Sequence, residues 1–326
     1  MHSDADHRQR VTERRRHRGR HAVALVPPQF VTDLVGAAGP AGAAWIERLP
    51  PLVAEACHRW SLTIDGASMH GLAGLVVPVT TAAGVRAVLK VSWPHDEAAP
   101  EPKALRCWAG RGAVRLLGEH ADSWSLLLER LDSSRSLEGL SDPDAAVAEA
   151  AALLPRLHVA CPAGIPTVQA LAERWVEELP AEWEAMGRPV DRPLLDQALA
   201  TCRDLGPARP VRLLHGDFHY ANVLAGEREP WLAIDPKPLA GDPAFDVGPL
   251  LRNRWDDVAG SGNVAVALRR RFDHVIEVAG LDRDTARAWS ITRAVDNVLW
   301  ATDKGDPAFA QIERTVAETL AGTTRR

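Results

Sequence analysis

The chain has 326 residues, of which 46% are hydrophobic and 25% are charged, and its formal net charge at pH 7 is −5. A chain of this length can fold as one large domain or as two lobes with separate cores. No apolar run is long enough to span a membrane, and no apolar segment follows the first charged residues as it does in a secretory signal. We therefore expect a protein that does not act at membranes, with its four scattered cysteines reduced in the cytoplasm.

Positive charge is concentrated at the start of the chain. Residues 1–21 contain seven arginines against three carboxylates, a net charge of about +4, so the remainder carries about −9. Residues 1–24 lack apolar periodicity, and we predict a disordered basic tail there. This tail is either an arm for nucleic acid or another anionic surface, or a dispensable extension, which we favour. The acidic remainder disfavours nucleic acid and suits a small cationic ligand. Both a monomer and a dimer are compatible with this composition.

The first part of the globular region is predicted to be rich in strands. Residues 30–60 have helical periodicity, broken near Gly39-Pro40 and Pro50-Pro51. The segments "HGLAGLVVPV" and "GVRAVLKV" then indicate two strands joined by a turn at "TTAAG". A helix is expected from near Pro102 to Gly110, with proline early and glycine late. Two more strands are expected in "VRLLGEHADSWSLLLERL". We therefore place a β-rich N-terminal lobe at residues 25–131.

Helical patterns dominate after residue 131. "DPDAAVAEAAALLPRLH" opens with aspartate and proline, and "VQALAERWVEELPAEWEAM" and "RPLLDQALATCRDL" continue with helical periodicity. Short strands at "VRLLH", "NVLA" and "WLAID" are followed by further helices from Pro243 onward. Residues 132–326 are therefore predicted to be a mainly helical C-terminal lobe. The expected fold class is α+β with two lobes.

The stretch "LLHGDFHYANVL", residues 213–224, places several polar groups between apolar segments. His215 and His219 are four residues apart, as two zinc ligands on one helix face are. Gly216 and the strand-like flanking segments argue against a helix, and the glutamate of an HExxH site is missing. A polar turn without a chemical role is a second alternative. We favour a third interpretation, phosphoryl transfer, over both.

The spacing of Asp217 and Asn222 matches the requirements of phosphoryl transfer. A kinase uses one aspartate to orient the acceptor hydroxyl and accept its proton, an asparagine five residues later for a metal ion, and a second metal-binding aspartate on a nearby strand. Asp217 and Asn222 have this separation, and Asp235 follows thirteen residues later at the end of the apolar strand "WLAID". The pattern predicts Asp217 as the residue that accepts the hydroxyl proton, with Asn222 and Asp235 as ligands of a metal ion.

A nucleotide site needs a lysine on a strand, and this chain has only four lysines against 34 arginines. Each lysine is therefore a candidate for a role that a guanidinium group does not fill. Lys90 in "AVLKV" lies on a predicted strand, as the lysine that holds the ATP phosphates does in kinases. Glu101, which opens the next helix, is the preferred partner of Lys90, and Glu97 is the alternative. Gly71 and Gly74 in "HGLAG" could bring backbone N–H groups near phosphate oxygens.

The segments "HGDFHYANVL" and "IDPKPLAGDPAFDVGPLL" resemble the aminoglycoside phosphotransferases, and most closely their streptomycin 6-kinase and hydroxyurea kinase branch. The resemblance runs from about residue 26 to residue 320 and includes "AVLKVSWPHDEA" and "RAVDNVLWATDKGDP". It implies a bilobal protein-kinase-like fold that uses ATP and Mg²⁺. It also implies that the backbone at Glu129 and Leu131 contacts adenine and that Asp246 braces the catalytic loop.

The resemblance further implies the type of acceptor. The γ-phosphate of ATP would be transferred to a hydroxyl of a small-molecule antibiotic, in the first place the 6-hydroxyl of streptomycin. Carboxylates of the helical lobe pair well with guanidinium or ammonium groups, and we select Asp242, Glu177 and Asp296 as candidates. A kinase for hydroxyurea or another metabolite is the alternative within the fold. A nucleotide-binding pseudokinase or sensor is the alternative from another functional class, and the role of Lys237 stays open.

Overall fold

The computed structural model describes residues 25–207 and 211–322. The predicted basic tail at residues 1–24 lies outside these ranges. Within them, no helix is both long enough and apolar enough to cross a membrane. All four cysteines are free thiols. The chain divides into two compact units, one formed by residues up to 93 together with 118–128, the other by 94–117 together with the residues from 129 onward.

The first unit combines a long helical segment with a sheet. Helix α1 (Pro28–Arg59) is interrupted at Gly39, whose φ of 57° and ψ of −139° are not helical. The strands, in chain order, are β1 (Leu62–Ile64), β2 (Met69–His70), β3 (Gly74–Thr81), β4 (Arg86–Ser92), β5 (Leu116–His120) and β6 (Ser125–Glu129). They are arranged in the order β1-β3-β4-β6-β5, and β2 pairs with β3.

Alternating apolar side chains on β3 and β4 build the core of this unit. Because successive side chains of a strand point to opposite faces, every second residue of each strand lies on the buried face. Helix α1 covers that face with aromatic and aliphatic side chains. The buried residues are Phe30, Leu34, Trp45, Leu49, Val53, Ala56, Leu75, Val77, Val79, Ala87, Leu89, Val91 and Leu127. The two strands predicted from "HGLAGLVVPV" and "GVRAVLKV" are confirmed.

The helix predicted in "EPKALRCWAGRG" is confirmed as α2 (Glu101–Trp108). It groups with the second unit, whereas the sequence-based boundary at residue 131 placed it in the N-terminal lobe. The reason is visible in its hydrogen bonds: the indole Nε1 of Trp108 donates to the carbonyl oxygen of Leu157 at 2.7 Å. Lys103 donates to another carbonyl oxygen, 60 residues further along the chain, at 2.7 Å. The order of the elements along the chain does not predict these hydrogen bonds.

Helices make up most of the second unit, as predicted. They are α3 (Pro143–Leu157), α4 (Val168–Ala185), α5 (Arg192–Leu205), α6 (Gly248–Arg252), α7 (Trp255–Ala259), α8 (Val264–Ala279), α9 (Arg283–Asp303) and α10 (Pro307–Ala321). Side chains of Asp142, Thr167 and Asp282 accept backbone N–H bonds at the starts of α3, α4 and α9. Trp289 of α9 is fully buried and packs edge-on against the ring of Phe245, with 5.3 Å between centroids.

Two small sheets in the second unit surround the polar stretch. Their strands are β7 (Asp132–Ser136), β8 (Arg212–Leu214), β9 (Val223–Ala225), β10 (Trp231–Ala233) and β11 (Leu239–Gly241). They pair in the orders β10-β9-β7 and β11-β8. The strands predicted from "VRLLH", "NVLA" and "WLAID" are confirmed, while β7 and β11 were not predicted. The α+β fold class is confirmed.

Candidate active site

A buried strand and a close backbone approach position the polar stretch. Strand β8 leads into an irregular loop, which is followed by a 3₁₀ turn at Tyr220–Asn222. Gly216 in the loop has a φ of 79°, and a Cβ atom there would lie 1.9 Å from the carbonyl oxygen of Lys237. The N–H of Lys237 in turn donates to the carbonyl oxygen of His215 at 2.9 Å. Because only glycine combines this φ with this approach, the loop and the segment that follows β10 are held in direct contact.

His215 is a packing residue of the loop, and the zinc interpretation is wrong. Its side chain is fully buried, and its Nε2 lies 3.0 Å from the carbonyl oxygen of Ile234. Its Nδ1 accepts the N–H of Asp217 at 3.3 Å. Burial lowers the pKa of His215, so the ring is neutral. With both ring nitrogens in use, His215 has none left for a metal shared with His219.

Asp246 braces the loop from behind, as expected. Its carboxylate is fully buried and accepts the N–H of His215 and the N–H of Gly216, both at 2.9 Å. His158 Nε2 lies 3.1 Å from the same carboxylate. Burial opposes ionisation of Asp246, but the hydrogen bond and charge of His158 outweigh it, so the pKa of Asp246 lies below its ordinary value. No local sequence pattern indicates this role of His158, which is 88 residues from Asp246 along the chain.

Arg293 on α9 is a second brace that the sequence did not reveal. Its guanidinium group donates to the carbonyl oxygen of Gly216 at 2.9 Å and to that of Phe245 at 3.1 Å. It also lies over the ring of Phe245, 4.6 Å from the centroid. Both carbonyls belong to the segments that Asp246 joins. An arginine in an arginine-rich helical sequence carries no local signal of such a role.

Asp217 follows these braced residues and lies among basic side chains. The ammonium nitrogen of Lys237 is 3.4 Å from its Oδ2, and Nε2 of His219 is 3.9 Å from the same oxygen. Burial alone would raise the pKa of Asp217, but the nearby Lys237 and His219 hold it below its ordinary value. The carboxylate is therefore ionised at neutral pH and can accept a hydrogen bond from a hydroxyl group.

Asn222 and Asp235 are joined to the same framework. The Nδ2 of Asn222 donates to the backbone carbonyl of Asp217 at 3.0 Å, which turns the side-chain oxygen of Asn222 away from that carbonyl. The N–H of Ile234 donates to the carbonyl oxygen of Asn222 at 2.9 Å, directly before Asp235. Asp235 itself has a φ of 53°, a conformation that residues other than glycine rarely adopt. The short links of Asn222 to the loop and to the strand end place the two predicted metal ligands in one connected segment.

An amide oxygen and a carboxylate are suitable donors for Mg²⁺, which usually takes few protein ligands and completes its shell with water and phosphate oxygens. In residues 25–207 and 211–322, no group of three or more His, Cys, Asp or Glu side chains could hold a metal ion. Asn222 and Asp235 provide oxygen donors of the kind that Mg²⁺ takes.

The predicted phosphate-binding residues of the first unit lie on its sheet. Lys90 is on β4, is only 9% exposed and pairs in register with Val76 of β3. Gly74 begins β3, and a Cβ atom there would lie 3.8 Å from Cε of Lys90. Gly71 is in the turn between β2 and β3, where its N–H donates to the carbonyl oxygen of Gly74 at 3.0 Å. The segment "HGLAG" thus contains a turn between two closely spaced strands, whereas the sequence indicated one continuous strand.

The two carboxylates proposed as partners of Lys90 differ sharply in environment. Glu101 begins α2 and is 2% exposed. Glu97 lies in the turn before α2, has a side chain that is 63% exposed and pairs with the ammonium nitrogen of Lys237 at 3.5 Å. A kinase lysine needs a carboxylate held in place by packing. Glu101 is therefore held in place by packing, and its pairing with Lys90 stays a prediction.

Glu129 has a structural contact that the sequence did not indicate. Its carboxylate accepts hydrogen bonds from Nε of Arg228 at 3.0 Å and from the N–H of Arg115 at 3.0 Å. Its own N–H donates to the carbonyl oxygen of Arg115 at 3.0 Å. Leu131 lies between β6 and β7 and is half-buried. The contacts of Glu129 and Leu131 with adenine stay predictions. Because the carboxylate and the N–H of Glu129 both bond within the protein, we assign the adenine contact of Glu129 to its carbonyl oxygen.

The three candidate acceptor-binding carboxylates are not equivalent. Asp242 caps the 3₁₀ turn Pro243–Val247 by accepting the N–H of Ala244 at 2.8 Å, and Glu177 is exposed on α4. Asp296 is on α9, one turn beyond Arg293, and receives a hydrogen bond from the Trp175 side chain. Burial raises the pKa of Asp296 to about 6. Asp296 is thus a carboxylate that a cationic ligand would stabilise.

The chain is similar to known antibiotic kinases. A family model described as aminoglycoside/hydroxyurea antibiotic resistance kinase matches residues 59–305. Streptomycin 6-kinase from Streptomyces glaucescens is 45% identical over 298 residues, which cover 91% of this chain and 97% of that protein. Hydroxyurea phosphotransferase from Kitasatospora aureofaciens is 45% identical over 307 residues, which cover 92% and 87%.

The fold is also found in solved structures. A crystal structure of a thermostable mutant of aminoglycoside phosphotransferase APH(4)-Ia, in a ternary complex with ADP and hygromycin B, matches with a TM-score of 0.57. The match covers 84% of this chain and 98% of that one, at 15% sequence identity. The protein-kinase-like α+β fold that the sequence predicted is therefore confirmed.

Proposed function

The chain belongs to the aminoglycoside/hydroxyurea antibiotic resistance kinase family, and from that premise we propose that it transfers the γ-phosphate of ATP to a hydroxyl of streptomycin. The observation that carries the proposal is the ionised Asp217 in a loop braced by Asp246, with Asn222 tied to its backbone. Proteins of this class catalyse phosphoryl transfer by positioning and charge neutralisation, which such a rigid loop provides.

Each residue of the loop has a defined task in this proposal. Asp217 accepts a hydrogen bond from the acceptor hydroxyl, orients its oxygen towards the phosphorus atom and receives its proton. Asn222 and Asp235 hold Mg²⁺, which when bound neutralises charge on the phosphate oxygens. The links among residues 215–217, 222 and 234 keep these groups in fixed relation, so little reorganisation is needed during transfer.

The nucleotide is assigned to the residues that the sequence indicated for it. Lys90 contacts the ATP phosphates, with Glu101 as its carboxylate partner, and the turn bearing Gly71 and Gly74 supplies backbone N–H groups to the phosphates. The near-complete burial of Lys90 and Glu101 supports this assignment, because isolated buried charges are costly. The carbonyl oxygen of Glu129 and the backbone of Leu131 contact adenine.

Streptomycin is the first choice of acceptor because of the charge it carries. Its guanidinium groups suit carboxylates such as Asp242, Glu177 and Asp296, and the raised pKa of Asp296 indicates a carboxylate that gains from a cation. Hydroxyurea is the second candidate, because the hydroxyurea phosphotransferase and the streptomycin 6-kinase are equally similar to this chain, at 45% identity.

An acceptor screen with matched variants tests the proposal. ATP consumption is measured with streptomycin, other aminoglycosides and hydroxyurea, and products are identified by mass. We expect streptomycin to gain one phosphoryl group. The variant Asp217→Asn should lose at least about 100-fold in kcat while its affinity for ADP changes by no more than about threefold.

The control is Asp196→Asn, which removes an exposed carboxylate paired with Arg192 and should leave kcat unchanged. Normal turnover by Asp217→Asn would show that Asp217 is not the catalytic base. If only hydroxyurea is phosphorylated, hydroxyurea replaces streptomycin as the acceptor. Nucleotide binding without turnover on any acceptor would favour a sensor over an enzyme.

A further inference from the structure

The turn between β9 and β10, residues 226–230, carries an arginine that bonds the end of strand β6. Nε of Arg228 lies 3.0 Å from Oε1 and 3.2 Å from Oε2 of Glu129, and a terminal guanidinium nitrogen lies 3.1 Å from Oε2. The same terminal nitrogen donates to the carbonyl oxygen of Ala113 at 2.7 Å. The side chains of Arg228 and Glu129 are each 19% exposed. Glu129 is thus held by a charge-assisted contact in which both of its carboxylate oxygens take part.

Arg228 is itself fixed by its remaining guanidinium nitrogen. This nitrogen donates to Oε1 of Glu229 at 2.6 Å, and Oε2 of Glu229 accepts a hydrogen bond from Arg156 of α3 at 2.6 Å. All three guanidinium nitrogens of Arg228 therefore have acceptors within the protein. Because most of these contacts are charge-assisted, the group cannot move without breaking several strong hydrogen bonds. The chain of ion pairs connects the end of β6 to α3.

Leu131 rests on the same turn. A Cβ atom added at Gly226 would lie 3.4 Å from Cδ2 of Leu131, so the leucine side chain packs directly on the turn backbone. Asp132, the next residue, pairs with Ala225 of β9. Residues 130–131 themselves lie between β6 and β7 and belong to neither strand. The position of the segment that is assigned to adenine therefore depends on its contacts with the turn.

The opposite end of the β9–β10 hairpin carries the predicted metal ligands. β9 begins directly after Asn222, and β10 ends two residues before Asp235. The N–H of Ile234 donates to the carbonyl oxygen of Asn222 at 2.9 Å and closes this end. At about 3.3 Å per residue, the chain from Asn222 to Gly226 spans about 13 Å. One hairpin therefore connects the residues assigned to adenine with the residues assigned to Mg²⁺.

Resting on the nucleotide site proposed above, we propose that Arg228 is a positioning residue for the nucleotide base, because it holds the backbone of Glu129 and Leu131 at a fixed distance from the metal ligands. In this role Arg228 acts through Glu129 and has no contact of its own with the nucleotide. A nucleotide that lies along the hairpin has its base at the turn and its phosphates at the end that carries Asn222. Backbone atoms recognise adenine only if their segment is placed accurately, and displacements of about 1 Å are costly.

The variants Arg228→Met and Arg228→Lys, alone and combined with Glu129→Leu, test the proposal in the full-length protein. Affinities for ADP and for inorganic tripolyphosphate, which has no base, are measured by calorimetry with Mg²⁺ in excess. KM for ATP and kcat are measured with the acceptor found in the screen. Circular dichroism verifies that each variant is folded. Arg59→Met, which removes an exposed arginine paired with Glu55, is the matched control.

Arg228→Met should lower the affinity for ADP about tenfold and change that for tripolyphosphate less than about twofold, because only the base loses its support. KM for ATP should rise about tenfold, while kcat at saturating ATP changes less than about twofold. Arg228→Lys should recover part of the ADP affinity, since an ammonium group keeps the charge but not the two-point contact. In the Glu129→Leu background, Arg228→Met should lower ADP affinity less than about twofold further, because its route to the base is already lost. Arg59→Met should match the wild type throughout.

Equal losses of affinity for ADP and for tripolyphosphate would indicate a general disruption and would overturn the positioning role. So would additive losses of ADP affinity in the double variant, or an Arg228→Met variant that binds ADP as tightly as the wild type. If tripolyphosphate binds the wild type too weakly to measure, the split between KM for ATP and kcat decides in its place. If Arg228→Met does not fold, Arg228→Lys and Glu129→Leu are judged by the same criteria.

The outcome also separates this role from the proposed catalysis. A wild type that binds ADP but phosphorylates no acceptor would contradict the catalysis, while the comparison of ADP with tripolyphosphate still decides the role of Arg228. A wild type that binds no adenine nucleotide would overturn both.

Discussion

Gly216 and Gly84 have nearly the same backbone conformation in very different surroundings. Their φ angles are 79° and 78°. A Cβ atom at Gly84 meets nothing within 4 Å, whereas at Gly216 it would lie 1.9 Å from the carbonyl oxygen of Lys237. The pair therefore separates two reasons why a position requires glycine. One is the left-handed backbone conformation, and the other is the close approach of another backbone segment.

This pair gives a prediction at the residue scale. Gly84→Ala should cost about 1 kcal/mol of unfolding free energy, because it adds only the strain of an L-residue at positive φ. Gly216→Ala should cost at least about 3 kcal/mol and reduce kcat strongly, because the loop must move away from Lys237. Urea unfolding and steady-state kinetics measure both effects. Equal losses of stability in the two variants would show that the loop relaxes without cost.

At the scale of elements, the 3₁₀ turn Pro243–Val247 acts as the support of the catalytic loop. It begins after β11, which pairs with β8, and it is capped by Asp242. The pairing and the cap place Asp246 beneath the N–H groups of His215 and Gly216. A short turn thus determines the geometry of a loop that precedes it by about thirty residues.

Asp246→Asn tests this support. The amide replaces one accepting oxygen by a donor facing N–H groups, so we expect a loss of about 3 kcal/mol in unfolding free energy at pH 7. Because the pKa of Asp246 is lowered in the folded state, its contribution is complete above the ordinary aspartate pKa and is lost as the pH falls below about 4. The stability of the wild type should therefore decline more steeply below that pH than that of Asp246→Asn.

Urea unfolding between roughly pH 3 and pH 7 measures the difference between the two proteins. Asp196→Asn serves as an exposed control and should change the unfolding free energy by less than about 0.5 kcal/mol. Parallel stability curves for the wild type and Asp246→Asn would mean that Asp246 titrates alike in the folded and unfolded states.

Elements with strong apolar patterns were predictable, and elements defined by tertiary contacts were not. β3 and β4 contain apolar runs of Leu, Val and Ala, and these runs are visible directly in the sequence. β7 reads Asp-Ser-Ser-Arg-Ser and is almost entirely exposed, so it has no apolar signal and forms only because β9 offers a partner. In the site, Asp217, Asn222 and Asp235 follow from local spacing. Arg293 and His158 act on groups 77 and 88 residues away, and no local pattern encodes that distance.

At the scale of the whole molecule, the division into compact units also depends on tertiary contacts, which the sequence does not show. Residues 94–117 follow the first strands along the chain, but α2 is anchored to residues of the second unit through Trp108. Compact units are defined by packing, while a sequence pattern follows chain order. Charge is the property of the whole chain that the sequence does determine, and it separates the two candidate acceptors.

The whole-molecule charge predicts a salt response that depends on the acceptor. The chain carries −5 overall, and about −9 without residues 1–21. Such a field attracts a guanidinylated cation, and salt screens it. Raising KCl from roughly 20 mM to roughly 300 mM should lower kcat/KM for streptomycin about threefold or more, while kcat/KM for uncharged hydroxyurea stays constant. Steady-state kinetics of the full-length protein measure both.

Deletion of residues 1–24 provides the second arm of this experiment. The shortened chain should retain its activity, and the salt dependence for streptomycin should become steeper, because a net charge of about +4 has been removed. A dependence that becomes weaker on deletion would show that the basic segment itself takes part in acceptor binding. A flat response in both chains would show that acceptor selection depends on contacts within the site, such as those of Asp296, and not on the field of the molecule.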